Sequence, residues 1–314
     1  MAEMSMREGY GRALAEYGEI NPDVVVLDAD TSASTLSHFF AQRFPERFFN
    51  IGIAEPCMVD VAVGLALGGK IPFANAFAAL VSLRALEQIR TCVCYARRNV
   101  KLAAGYAGLS DFKDGPTHHA IMDIATMRAM PEMTVIVPAD ALEAGKWVPV
   151  MAEYEGPVYF RLSRAATIPV HNEGLQVEIG KGITLREGSD VTIVGTGSMV
   201  GRSLLAAEKL AKEGMEARVL EIHTVKPLDV DLIWQAAEET GAIVTAEEHS
   251  VIGGLGGAVA ETLCVGRPVA LERVGVADTF TCTALDPESL MDACGLAVED
   301  IVTAVKRVLG RKPR

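Results

Sequence analysis

Two short stretches gather side chains that could carry chemistry. DGPTHH (114–119) sets an acid, a tight Gly-Pro turn and two adjacent histidines together. A polar turn needs fewer such groups, so the acid Asp114 and the two histidines read as a gathering of acid and base at a ligand site. A metal at the histidines lacks support, because no other His or Cys in this half stands at ligand spacing. NIGIAEPCMVD (50–60) puts Glu55 directly before Pro56, at an expected helix start. Taken alone, Glu55 reads as an acid complementing the helix dipole.

Other motifs are weaker. VGTGSMVG (194–201) follows an expected strand, but its third glycine comes one residue late for a dinucleotide fingerprint. GGLGGA (253–258) follows the acidic EEH (247–249) rather than an expected strand end. Both read as tight turns. Neither a Walker sequence nor G-x-S-x-G occurs. Six irregularly spaced cysteines, with Cys92 and Cys94 on different faces of an expected helix, read as buried free thiols.

The elements that must position these residues alternate between short β-rich runs and longer helical patterns, the signature of α/β folds with mostly parallel sheets. Strands are expected at 23–28, 71–75, 100–104, 134–137 and 158–162. Helices are expected at 4–17, 56–68, 79–97 and 141–154. The pattern lapses over 168–186 and then restarts, with strands at 191–194, 217–222, 242–246 and 268–272, Pro268 opening the last. Helices are expected between them at 199–213, 230–240 and 255–264. This gives two α/β domains, 1–172 and 189–314, joined by a linker at 173–188.

The chain has 314 residues, 50% of them hydrophobic, enough for two cores without staples. Its net charge of −12 argues against nucleic acid as a partner. No apolar run is long enough for a bilayer, and the start MAEMSMREGY does not read as a secretory signal, so a cytoplasmic location is expected.

Five blocks in order, NIGIAE-x-x-MV, PFANAFAALVSLRALEQIR, DGPTHH, MTVIVPADALEA and YFRLSR, resemble the C-terminal half of transketolase. The likeness covers nearly the whole chain, and its length resembles the C-terminal subunit of a split transketolase. The resemblance implies a pyrimidine-binding domain followed by a transketolase C-terminal-like domain. Thiamin diphosphate is then the cofactor, and Glu55 the acid that shares a proton with its aminopyrimidine ring. Phe77 matches the pyrimidine-stacking aromatic, Leu80 occupies the place of a second one, and Asp30 matches an acid near the cofactor. Asp114 corresponds to the donor-hydroxyl acid and His118 to the catalytic histidine. Arg7, Ser34 and Arg164 correspond to the residues that grip sugar phosphate. Tyr106 stands where the family has a further phosphate-binding histidine, and Lys113 where it has an acid.

No G-D-G occurs in the chain; the nearest match is GSD at 188–190. The resemblance therefore implies that the diphosphate and its Mg²⁺ (or Ca²⁺) are held mainly by an N-terminal partner chain, with no metal site in this one. It further implies a heterotetramer and sugar phosphate substrates. A 2-oxo acid dehydrogenase beta subunit, a 1-deoxyxylulose-5-phosphate synthase-like enzyme, a non-catalytic partner chain and a simple sugar phosphate-binding module remain alternatives.

Overall fold

The structure is a computed structural model and describes residues 4–312. Six strands follow one another in the first half: β1 (Val24–Asp28), β2 (Phe48–Asn50), β3 (Ile71–Phe77), β4 (Lys101–Gly105), β5 (Thr134–Ile136) and β6 (Val158–Arg161). The second half adds β7 (Ile183–Arg186), β8 (Val191–Gly195), β9 (Ala217–Glu221), β10 (Thr224–Lys226), β11 (Ala242–Ser250) and β12 (Ala270–Val276). They form two sheets, ordered β10-β5-β6-β4-β3-β1-β2 and β12-β11-β8-β9-β7. All pairings are parallel except those of β10 with β5 and of β7 with β9. Every residue of β1 and β4 is buried, as expected of strands covered on both faces.

The helices that matter most are α1 (Met6–Ile20), α2 (Glu55–Leu67), α3 (Ala78–Arg84), α4 (Ala141–Glu153), α5 (Met199–Lys212) and α6 (Leu255–Gly266). Against one face of the first sheet, α1 and α4 bury Tyr10, Leu14, Trp147 and Met151. They approach so closely that a Cβ at Gly9 would lie 2.0 Å from the Ala141 carbonyl oxygen, so only glycine fits there. Asp140 caps α4, accepting from the Glu143 amide at 2.9 Å. On the opposite face lie Met58, Val59 and Ala62 of α2 with Val81 of α3.

Several expectations need correction. The helix expected over 79–97 is interrupted at Ala85, which leaves helical geometry (φ −98°, ψ 17°), then resumes over Leu86–Gln88 and continues as a π-helical stretch over Ile89–Tyr95. The strand expected from Pro268 begins at Ala270, where pairing with β11 starts. The strand β10 was not expected; it carries the second half of the chain into the first sheet, pairing Thr224 with Ile136. All six cysteines are free, but only Cys94 is buried; Cys57, Cys264 and Cys282 are exposed. Apolar neighbours misled here, because α2 and α6 turn Cys57 and Cys264 outward.

GGLGGA does follow a strand, since β11 runs through Ser250. The start of α6 already holds an anion: the Glu247 carboxylate accepts from the Leu255 and Gly256 amides at 2.6 and 2.8 Å. In the other glycine stretch, a Cβ at Gly201 would meet the Ile168 side chain at 2.6 Å, so close packing accounts for it.

Candidate active site

The parallel strands of the first sheet end along one edge, and the loops leaving that edge carry most of the candidate residues. Asp30 follows β1, Glu55 follows β2, Phe77 ends β3, Tyr106 follows β4 and Arg164 follows β6. This is where open α/β sheets bind ligands.

Glu55 is the first residue of α2, with its side chain 3% exposed. Arg84, half-exposed at the end of α3, donates Nη1 to Oε1 at 3.1 Å. Asp30 is exposed and sits at positive φ (64°), held by Asn50, whose Nδ2 donates to Oδ1 at 2.9 Å. Just behind it, buried Asp28 accepts from the Thr31 amide and from the hydroxyls of Thr31, Thr35 and Ser37. Burial raises the Asp28 pKa, and those donors oppose the rise. This network fixes the 30–37 loop that carries Ser34.

Phe77, Tyr106, His118, Arg7 and Arg164 come together. The Phe77 and Tyr106 rings stack at 4.2 Å, and His118 meets Phe77 edge-on at 6.2 Å. Arg7 and Arg164 both lie over the Tyr106 ring, with guanidinium carbons 5.7 and 4.9 Å from its centre. Arg7 donates Nη1 to the Ser34 carbonyl oxygen at 2.7 Å, so Ser34 meets this cation through its backbone. Tyr106 adopts positive φ (58°), which is strained for a bulky residue and recurs at ligand sites.

His118 stands in a turn closed by its own amide donating to the Gly115 carbonyl at 2.9 Å, with Gly115 at φ +80°. The His118 Nδ1 lies 3.0 Å from the Thr117 hydroxyl. Asp114 is exposed beside it, and Leu80 is half-buried on α3, one turn beyond Phe77. Lys113 is exposed and lies over Phe112 rather than beside the arginines.

His119 is buried. Its Nε2 lies 3.0 Å from the Asp111 carbonyl and its Nδ1 2.5 Å from the Thr281 hydroxyl, so it ties the turn to the second half of the chain. Burial lowers its pKa and keeps it neutral.

One partner was missed from the sequence. Asp111, fully buried, accepts from Arg164 Nη1 at 2.6 Å. Burial and then the neighbouring Asp114 raise the Asp111 pKa, while Arg164 opposes them. The only local signal was a second acid three residues before Asp114.

Residues 2–169 match the transketolase pyrimidine binding domain, and residues 180–301 the transketolase C-terminal domain. The chain is 42% identical over 312 residues to the 6-deoxy-6-sulfo-D-fructose transketolase subunit SqwH of Clostridium sp. (strain MSTE9), covering 99% of this chain and 97% of that one. It is 46% identical over 278 residues to a putative transketolase C-terminal section of Methanocaldococcus jannaschii, covering 88% of this chain and 87% of that protein. A split-gene transketolase solved as an inactive β4 tetramer is 48% identical, superposes with a TM-score of 0.92, and is matched over 99% of this chain and 100% of its own. Both halves of the fold, and the strand-edge loops that hold Glu55, Phe77 and His118, thus lie in a chain that belongs to the transketolase family.

Proposed function

We propose that this chain is the C-terminal subunit of a two-chain, thiamin diphosphate-dependent transketolase. The enzyme would move a two-carbon ketol unit from a ketose donor to an aldose acceptor. The observation that carries this reading is the nearly buried Glu55 carboxylate on the same strand edge as Phe77, Tyr106, His118 and Arg7.

These residues fit the pyrimidine end of the cofactor. Glu55 has one side-chain partner, the half-exposed Arg84, and Phe77 is half-buried with Tyr106 against its ring. Thiamin diphosphate, when bound, supplies the carbanion chemistry. Glu55 holds and shares a proton at its carboxylate, a task suited to a poorly solvated acid. Phe77 and Leu80 line the ring slot, and Asp30 completes its rim. His118, with Nδ1 beside Thr117, presents Nε2 to exchange a proton with the sugar oxygen. Asp114 accepts from a donor hydroxyl. Arg7, Arg164 and the Ser34 segment receive the charged end of the sugar.

The diphosphate and its metal ion belong to the partner in this reading. Support comes from α2, a helix apolar on almost every side, whose Cys57, Val61 and Leu67 are exposed beside Ile53 and Leu83. Such a helix calls for a covering surface. The reading takes the assembly to be a heterotetramer of two chains of each kind, in keeping with the SqwH relative being described as a subunit. Among the described residues no helix is long and apolar enough to cross a membrane.

The test is product analysis of the reconstituted pair given a ketose phosphate and an aldose acceptor. Transfer of a two-carbon unit supports the reading. Release of CO₂ from pyruvate without ketol transfer would replace it with a 2-oxo acid dehydrogenase subunit.

A further inference from the structure

A second cluster of titratable groups lies away from the strand edge, where the two halves of the chain meet. Glu143 on α4 comes from the first half, His171 from the connecting segment, and Glu221 and His223 from the end of β9 and the residues after it. Glu143, Glu221 and His223 are at most 1% exposed, and the His171 side chain is 5% exposed. His171 Nε2 lies 2.8 Å from Glu221 Oε2 and 3.8 Å from Glu143 Oε2, and His223 Nδ1 lies 3.0 Å from Glu143 Oε1. One donor atom each from Glu143, His171 and Glu221 falls within 4.8 Å of the others.

Both Glu221 oxygens, His171 Nε2 and both His223 nitrogens lack a hydrogen-bonded partner although they are buried. Unpaired buried acceptors are costly, and two carboxylates this close repel each other. Among the described residues no lysine or arginine forms an ion pair with either acid. With both Glu143 and Glu221 ionised, a dication would supply the missing counter-charge.

We propose that Glu143, His171 and Glu221 form a binding site for one divalent metal ion of the zinc class, which ties the two halves of the chain together. One imidazole nitrogen with two carboxylate oxygens is a donor set for such an ion, and His223 stands beside Glu143 as an outer partner. The surroundings hold the ligands in place, as outer partners do in metal sites. Glu143 also accepts from the Trp147 indole at 2.9 Å and from the Ala139 amide at 2.5 Å. Asp140 accepts from the His171 amide at 3.0 Å, and the His223 ring stands edge-on to Trp147 at 5.0 Å. This ion is distinct from the one that accompanies the cofactor's diphosphate. The three ligands come from three separated segments, which is why their spacing carries no metal motif.

The experiment uses the full chain without its partner and without cofactor. It is stripped with a chelator, reloaded with zinc or cobalt(II), and assayed by elemental analysis, visible absorption and melting temperature. The proposal expects about one ion per chain, a cobalt ligand-field band and a rise in melting temperature on loading. Glu221→Gln and His171→Asn should each weaken the ion's binding at least about tenfold and remove the band. His171→Asn guards against misfolding of the buried variant, because it changes the connecting segment alone. Wild-type protein that takes up no ion after reloading would overturn the site, leaving the four groups to share protons. Equal metal uptake by wild type and both variants would overturn it too, placing the ion elsewhere, for example on the exposed thiols.

Discussion

Asp111 holds Arg164: the arginine's Nη1 donates to the buried Asp111 carboxylate at 2.6 Å, beneath the Tyr106 ring. One of the two cations expected to grip a sugar's charged end is therefore already half-neutralised within the chain. Asp111→Asn should free that charge. In the reconstituted enzyme the KM for a ketose phosphate should fall by roughly tenfold, the equivalent of one charge-assisted hydrogen bond. The KM for an uncharged ketose should not move. Equal changes for both sugars would show that Asp111 acts on the loop and not on the anion.

Glu55→Gln removes the proton-sharing acid at nearly constant volume. Its one ion-pair partner, Arg84, is 51% exposed and can turn to water, so circular dichroism should be unchanged. Turnover of the reconstituted pair should drop by at least about 100-fold, the usual worth of a positioned acid–base group. Retained turnover would strip Glu55 of the role.

Glu55, Phe77 and His118 were singled out because each sits in a local block that resembles transketolase, and the structure brings these blocks to one strand edge. Most strands and helices were legible locally: parallel strands such as DVVVLD are continuous apolar runs between turn signals. What was not legible depends on distant partners. Asp111 and Arg164 are 53 residues apart, and nothing near either predicts the other. The three residues of β10 are too few to carry a period, and they become a strand because β5 offers a free edge. Apolar neighbours made Cys57 and Cys264 look buried, because α2 and α6 are apolar on faces that this chain leaves exposed.

Lys101 is fully buried in β4, its Nζ donating to the carbonyl oxygens of Tyr154 and Gly156 at 2.6 and 2.8 Å. Burial pushes its pKa down to about 7. The unfolded chain keeps that proton up to about pH 10.4, so above pH 7 the unfolded state binds more protons and stability rises with pH. The melting temperature of wild type minus that of Lys101→Met should therefore climb between pH 7 and about 9.5. Parallel pH curves for the two proteins would contradict the shifted lysine.

Arg161 and Asp123 form a buried ion pair at 2.8 Å, and Arg161 also donates to the Glu248 carbonyl oxygen of the second half at 2.9 Å. Arg161→Met would strand the Asp123 carboxylate with only the Tyr159 hydroxyl. Urea unfolding should show a loss of about 3–5 kcal/mol. A loss under about 1 kcal/mol would mean that water reaches the site and the pair is not truly desolvated.

In the proposed reading, this chain brings the pyrimidine half of a site that only a second chain completes. The direct measurement is ketol transfer by the chain alone, by the diphosphate-binding chain alone, and by the two mixed, each with thiamin diphosphate and Mg²⁺. Neither chain alone should turn over a ketose phosphate, and turnover on mixing should saturate at equal amounts of the two. Turnover of a ketose phosphate by this chain alone, or by the partner alone at the rate of the mixture, would contradict this reading.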